Sequence, residues 1–254
     1  SYIGTLVSSD TDLTDGKTYS ITNQILDASE TGFTHSKEGN YGKLYLNEIT
    51  GAYKYITTDA LIEELTTNVT DEFNFNVIDD SQETNNINTK TFAVNLIGAN
   101  DKAIISVETG NSANKTLNET NGTLNTNGTL SVSDLDTTQT VNVSKIDVVT
   151  SGIRDGLAST NEELFAMLSI DTQNVIDDSH TTGIINWTFN SNSEAFDYLA
   201  NGEILTLTYT IKATDSTLLD SNNQTIVINI QGTNDTPNIT IENLDSVSKT
   251  LKET

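Results

Sequence analysis

The chain contains no cysteine, so neither a disulfide nor a thiolate metal site can hold its fold. Basic residues are scarce: 12 Lys and Arg stand against 36 Asp and Glu, a formal net charge of −24. Such a surface repels DNA, RNA and anionic lipid, so no nucleic-acid partner is expected and divalent cations are the natural counter-charge. Hydrophobic residues make up 35% of the chain, and no apolar run approaches the roughly 20 residues of a membrane-spanning helix. No membrane insertion is expected. Catalytic signatures are missing too. There is no Gly-x-Ser-x-Gly elbow, and His35 and His180 have no partner at ligand or triad spacing and read as surface residues. Paired acids of the glycosidase kind are present, but they recur in both halves of the chain, which favours metal over an active site and predicts a protein that is not an enzyme.

What is there is a passage written twice. Lys90-Thr-Phe-Ala-Val-Asn-Leu-Ile-Gly-Ala-Asn-Asp101 returns as Gln224-Thr-Ile-Val-Ile-Asn-Ile-Gln-Gly-Thr-Asn-Asp235, 134 positions on. The same offset carries Lys115-Thr-Leu-Asn-Glu-Thr120 to Lys249-Thr-Leu-Lys-Glu-Thr254. A fixed period of domain length means tandem modules, each long enough to bury its own core. The division expected is 1–101 for a first repeat lacking its opening strand, 102–236 for a second, and 237–254 for the opening strand of a third.

Period-two alternation dominates both modules. Phe73-Asn-Phe-Asn-Val77, Leu205-Thr-Leu-Thr-Tyr-Thr-Ile211, the Phe92/Val94/Leu96 triplet and the Ile226/Ile228/Ile230 triplet put apolar side chains on one face, as strands covering a core do. Tyr53 and Tyr55 match Trp187 and Phe189 as the bulk of each core. Asn-Gly pairs at 121–122, 127–128 and 201–202 mark tight turns. The fold class predicted is all-β: tandem antiparallel β-sandwich modules of Ig-like or cadherin-like kind, with a short helix in the second. That helix is predicted at Ser159–Leu168, capped by Ser159 or Thr160 and packing through Leu164, Phe165, Met167 and Leu168, within a ten-residue insertion. Asp59–Leu65 is a similar candidate in the first module, matching Glu194–Leu199 in the second.

Four acidic features recur. Gly4-Thr-Leu-Val-Ser-Ser-Asp10-Thr-Asp12 matches Gly128-Thr-Leu-Ser-Val-Ser-Asp134-Leu-Asp136; Asp80 matches Asp215; Asn100-Asp101 matches Asn234-Asp235; and Glu119 matches Glu253. Carboxylates at i and i+2 can clasp one hard cation between them, and calcium, with its six to eight oxygens at loose geometry, suits such a set better than magnesium.

These motifs carry a resemblance. Gly-Thr-Leu with Asp-x-Asp, then Glu162-Glu-Leu-Phe-Ala-Met-Leu-Ser-Ile170, Ile185-Asn-Trp-Thr-Phe-Asn190, Glu194-Ala-Phe-Asp-Tyr-Leu-Ala-Asn-Gly-Glu203, Leu-Thr-Tyr-Thr-Ile-Lys-Ala-Thr-Asp215 and a closing Gly-Thr-Asn-Asp-Thr-Pro237 resemble the VCBS-type repeats of large bacterial RTX adhesins. The likeness covers the second module and, more loosely, the first. It implies a calcium-dependent extender on the bacterial surface, exported by type I secretion. The spacing also resembles cadherin repeats, which implies calcium at each junction. Carried over motif by motif, the first junction draws Asn100 and Asp101 from the linker and Asp134, Asp136 and Asp215 from the second module. Glu63, which aligns with Asp197, completes it. The second junction draws Asn234, Asp235, Glu119 and Asp197, and Asp10, Asp12 and Asp80 face a preceding linker. The partners implied are neighbouring repeats of the same chain.

A rival reading is a glycan- or host-surface-binding module using Tyr41, Tyr45, Tyr53 and Tyr55 as a platform, although their alternation more simply makes a core. One further expectation follows from the period. Residues 237–254 correspond to 103–120, whereas Ser1 corresponds to Asn125, so the tail of one molecule is expected to complete the first module of the next by head-to-tail strand donation.

Overall fold

The computed structural model describes residues 1–9, 16–80, 86–241, 248, 250 and 252–253. The alternating stretches become strands. In chain order they are β1 (Tyr2–Thr5), β2 (Lys17–Ile21), β3 (Ile25–Leu26), β4 (His35–Glu38), β5 (Gly42–Leu46), β6 (Ala52–Thr57), helix α1 (Asp59–Glu63), β7 (Val69–Asp79) and β8 (Ile87–Leu96). There follow β9 (Ile104–Ser106), β10 (Asn114–Asn118), β11 (Asn125–Ser133), β12 (Val141–Gly152), helix α2 (Asn161–Ala166), β13 (Leu168–Ile170), β14 (Thr182–Asn190), β15 (Ile204–Asp215) and β16 (Gln224–Gln231).

These strands form four sheets, in the orders β1-β6-β5-β4-β3, β2-β7-β8, β10-β16-β15-β12 and β13-β14-β11-β9. Two apolar clusters sharing no residue lie among them. One gathers Leu44, Tyr53, Tyr55, Phe73 and Phe75, with Phe92, Val94 and Leu96 partly buried at its margin. The other is larger and centres on Trp187, Phe189, Tyr209 and the fully buried Ile226, Ile228 and Ile230. The protein is thus all-β and sandwich-built. Pairing is antiparallel except where β10 runs parallel to β16, with Asn114 opposite Val227 and Asn118 opposite Gln231.

Helix α2 forms where the capping signal places it. Thr160 is the N-cap, its Oγ1 accepting from the Glu163 N–H while the Glu163 carboxylate accepts from the Thr160 N–H. Leu164, Met167 and Leu168 are buried, and the Tyr209 hydroxyl donates to the Leu164 carbonyl at 2.8 Å, tying the helix to β15. Helix α1 forms as expected, but its counterpart Glu194–Leu199 makes turns instead. Phe196 adopts a left-handed φ of 63° with its ring fully buried, and core packing of that ring overrides helical continuation.

The Asn127-Gly128 pair also departs from expectation. It lies inside β11, with Gly128 opposite Trp187. A Cβ at Gly128 would stand 2.4 Å from the Trp187 ring and 2.8 Å from the Ser112 carbonyl, so the glycine lets the indole lie across the strand. Gly4 does the same for Tyr53 across β1. Gly128→Ala is expected to destabilise the second core by about 1–3 kcal/mol through overpacking. Urea unfolding followed by Trp187 fluorescence measures this, with Gly122→Ala, whose Cβ meets nothing within 4 Å, as the near-neutral control.

Candidate functional site

The predicted first-junction residues converge where β11 and β15 end. Beyond Ser133 the chain turns, and Asp134 Oδ1 accepts the Asp136 N–H at 3.1 Å. Asp215 is the last residue of β15, and its Oδ1 accepts from the Thr217 N–H at 2.8 Å, the Thr217 hydroxyl at 2.7 Å and the Leu219 N–H at 3.0 Å. The segment between β8 and β9 comes across these two ends. Asn100 Nδ2 donates to Asp215 Oδ2 at 2.9 Å, and the Asp101 N–H donates to Asp136 Oδ2 at 2.7 Å. Asn100, Asp101, Asp134, Asp136 and Asp215 therefore form one cluster, with Asp134, Asp136 and Asp215 buried.

Two oxygens of this cluster are buried without any hydrogen-bond partner: Asp134 Oδ2 and Asp136 Oδ1. Burial pushes the Asp134 carboxyl above its ordinary range, and the neighbouring charges of Asp136, Asp215 and Asp101 add to the rise. Burial likewise pushes Asp136 up, with Asp101 and Asp215 contributing against the opposing Asp101 N–H. At Asp215 burial pulls upward as well, but the donors on Asn100, Leu219 and Thr217 outweigh it and hold this carboxyl low. A buried polar atom left without a partner costs about 1–3 kcal/mol, and more when charged.

The donor chemistry fits a hard cation: carboxylate and amide oxygens, with no sulfur or imidazole. Among the described residues, no three His, Asp or Glu side chains are already arranged as a metal-holding group. Protein donors occupy one oxygen each of Asp134 and Asp136 and both of Asp215, and Asn100 faces Asp215 with its nitrogen.

Other predicted residues are more scattered. Glu63 is exposed at the end of α1 and, among the described residues, makes no hydrogen bond or ion pair with the cluster. Glu119 is buried and accepts from the Thr233 N–H at 2.7 Å. Asp197 is exposed yet raised, by partial desolvation first and then by the charges of Asp235, Glu119 and Glu194, so these acids share one region. Asn234 repeats the Asn100 geometry, its Nδ2 donating to the Asp235 carbonyl at 3.1 Å. Asp80 is exposed and pairs through Oδ1 with the Gly16 N–H at 3.0 Å, closing the β2–β7 end. Asp10 and Asp12 lie outside the described residues.

Sequence reasoning passed over Gln139. It is buried, and its Nε2 donates to Asp136 Oδ2 and Asn100 Oδ1, joining the linker to the turn. It also passed over Asp71, buried in the first cluster with the Tyr55 hydroxyl at 2.6 Å and the Asn40 and Tyr41 N–H groups as donors. His180 is exposed beside Asp177, but His35 is largely covered in β4 and sits 3.5 Å from Glu48. Of the four tyrosines considered for a sugar platform, Tyr45, Tyr53 and Tyr55 are buried and Tyr41 is half-buried.

No protein-family model matches the chain, and no curated protein matches it. Among solved structures it is similar to CfaE, the adhesive subunit of the CFA/I fimbria of enterotoxigenic Escherichia coli, at 11% identity over 85% of this chain and 86% of that one, with a TM-score of 0.39. It is similar to chicken VE-cadherin EC1-2 at 15% identity over 91% and 90% of the two chains, with a TM-score of 0.31. The CooA pilin subunit of enterotoxigenic E. coli matches at 14% identity over 54% of this chain and all of that one, with a TM-score of 0.33.

The raised carboxyls set a pH response for the chelator-treated protein. Asp134 and Asp136 bind protons more tightly folded than unfolded, so their contribution to stability falls as pH rises from the ordinary carboxylate value through their raised values. Asp215 has the opposite sign, its contribution being lost only as pH falls below the ordinary value. The second core is therefore expected to melt higher at pH 5 than at pH 7 in EGTA. Asp134→Asn should remove part of that difference, and an unchanged slope in this variant counts against the assignment.

Proposed function

We propose that the chain is a run of extender repeats from a long bacterial cell-surface adhesin, with repeats at 1–101 and 102–236 and a third opening at 237–254. Calcium at the junctions fixes the angle between neighbours. The observation that carries this reading is the pair of partnerless buried oxygens, Asp134 Oδ2 and Asp136 Oδ1, at the point where the linker residues Asn100 and Asp101 meet the second core. A protein selected for stability alone would have donors there, or no charge.

Asp134, Asp136 and Asp215 would hold the ion, with oxygens from Asn100 and Asp101. The ion would supply a shared positive centre in place of mutual repulsion. This chain's own groups do the rest. The Asp101 N–H and Asn100 amide bring the linker onto the carboxylates, Gln139 holds both in place, and the three donors on Asp215 Oδ1 fix the turn after β15. Glu119, Asp197, Asn234 and Asp235 are the matching set for the second junction, and Asp10, Asp12 and Asp80 for a preceding one. Glu63 stands aside from the first-junction cluster and serves only if that junction rearranges. The role is mechanical and extracellular rather than catalytic: with calcium the array is stiff, and without it the linkers hinge.

A thermal melt in calcium, in EGTA and in magnesium tests this. At a calcium concentration about a hundredfold over Kd, linkage adds about 2.7 kcal/mol, on the order of 10 °C for a unit of this size. The rise should be calcium-specific and should disappear in Asp134→Ala and shrink in Asp101→Ala. An equal effect of magnesium, or none from either ion, removes the proposal.

A further inference from the structure

Gln139 joins the linker to the carboxylate cluster, and it does so with the end that a cation cannot use. Its Nε2 donates to Asn100 Oδ1 and, at 3.2 Å, to Asp136 Oδ2. Asn100 in turn directs its Nδ2 to Asp215 Oδ2 and to the Asp101 carbonyl, each at 2.9 Å. Gln139 is buried, so protein groups must match both ends of its amide, and its Oε1 faces the Ser216 hydroxyl at 3.5 Å.

The two partner-free oxygens, Asp134 Oδ2 and Asp136 Oδ1, fall well short of the six to eight that calcium takes. Asn100 Oδ1 and Asp136 Oδ2 are both engaged by the Gln139 amide. Asn100 cannot present its oxygen by turning alone. Each side-chain amide has one donor end and one acceptor end, so its Nδ2 would then meet the Gln139 N–H, donor against donor.

We propose that Asn100 and Gln139 are a geared pair of amides whose joint turn exchanges donors for oxygens and sets the calcium threshold of the first junction, an inference that rests on the calcium reading of this site. In the orientation described, the pair latches Asn100 and Asp101 onto the second sandwich with no ion. Gly98 belongs to the other side: a Cβ there would stand 2.4 Å from the Thr67 carbonyl and 2.5 Å from that of Leu65, both in the first repeat. Hinging without calcium is thereby centred on Ala99, exposed between the two. With both amides turned, Asn100 Oδ1 faces the carboxylates, Gln139 Oε1 accepts from Asn100 Nδ2, and Gln139 Nε2 reaches the Ser216 hydroxyl. The latch and the ion therefore compete. The first copy carries Asp15 at this position, an acceptor with no donor end when ionised, so a carboxylate here is an exchange the repeat itself makes.

Two measurements on the 254-residue chain test this. Hydrogen exchange of the Asp101 N–H, which donates to Asp136 Oδ2, reads the latch in EGTA. Calorimetric calcium titration, counting only the component that Asp134→Ala abolishes, reads the threshold. The Asp101 N–H should be protected in the parent in EGTA and exchange at least about tenfold faster in Gln139→Glu and in Gln139→Met, which keeps the length but lacks the amide. Gln139→Glu has no donor to match and holds Asn100 turned, so its Kd for calcium should fall about tenfold. Gln139→Asp, the residue of the first copy, takes its place if Gln139→Glu folds poorly. An unprotected Asp101 N–H in the parent, exchange unchanged in the variants, or calcium binding no tighter with a carboxylate at this position overturns the paired turn. A parent with no calcium component sensitive to Asp134→Ala removes the calcium reading instead, and the exchange measurement then decides the latch by itself.

Discussion

Taking a carboxylate out of water costs several kcal/mol unless charge or donors replace the lost hydration. At the ends of β11 and β15 the chain accepts that cost for Asp134 and Asp136 while supplying donors to only one oxygen of each. The linker is organised around this imbalance. Asn100 and Asp101 reach the cluster because its carboxylates are the strongest acceptors available, and Gln139 fills the space between them. The geometry of the connection therefore depends on how this charge is balanced. The two sandwich cores, which share no residue, do not.

The repeat period made the strands and the acidic cluster legible, because a residue that returns at the same offset stands out from a composition rich in Asn, Thr and Asp. Asp134, Asp136, Asp215, Asn100 and Asp101 were all reachable in this way, and they come together. Gln139 was not, since the first copy has Asp15 in its place and repetition passes over it. Asp71 was hidden for the same reason, its counterpart on β15 being the buried Leu207. Gly128 misled because Asn-Gly is a turn signal only where nothing large lies across it, and Trp187 lies across this one. Glu63 was placed by alignment alone, and alignment does not say which way a short exposed helix faces.

The two copies also show how one sequence pattern yields different degrees of closure. Trp187 donates its indole N–H to the Ser112 carbonyl at 3.0 Å, so the segment leading into β10 is fastened to the core residue beneath it. Tyr53 holds the matching place in the first sandwich, in tilted and edge-on ring contact with Tyr2, Phe75 and Phe92.

The parallel pairing of β10 with β16 has a consequence for load. β10 lies near the entry of the second sandwich and β16 at its exit, and both run in the same direction. A pull on the two ends of this unit slides one strand along the other, so the hydrogen bonds between them bear the force together rather than opening one after another. Such a unit yields late and all at once.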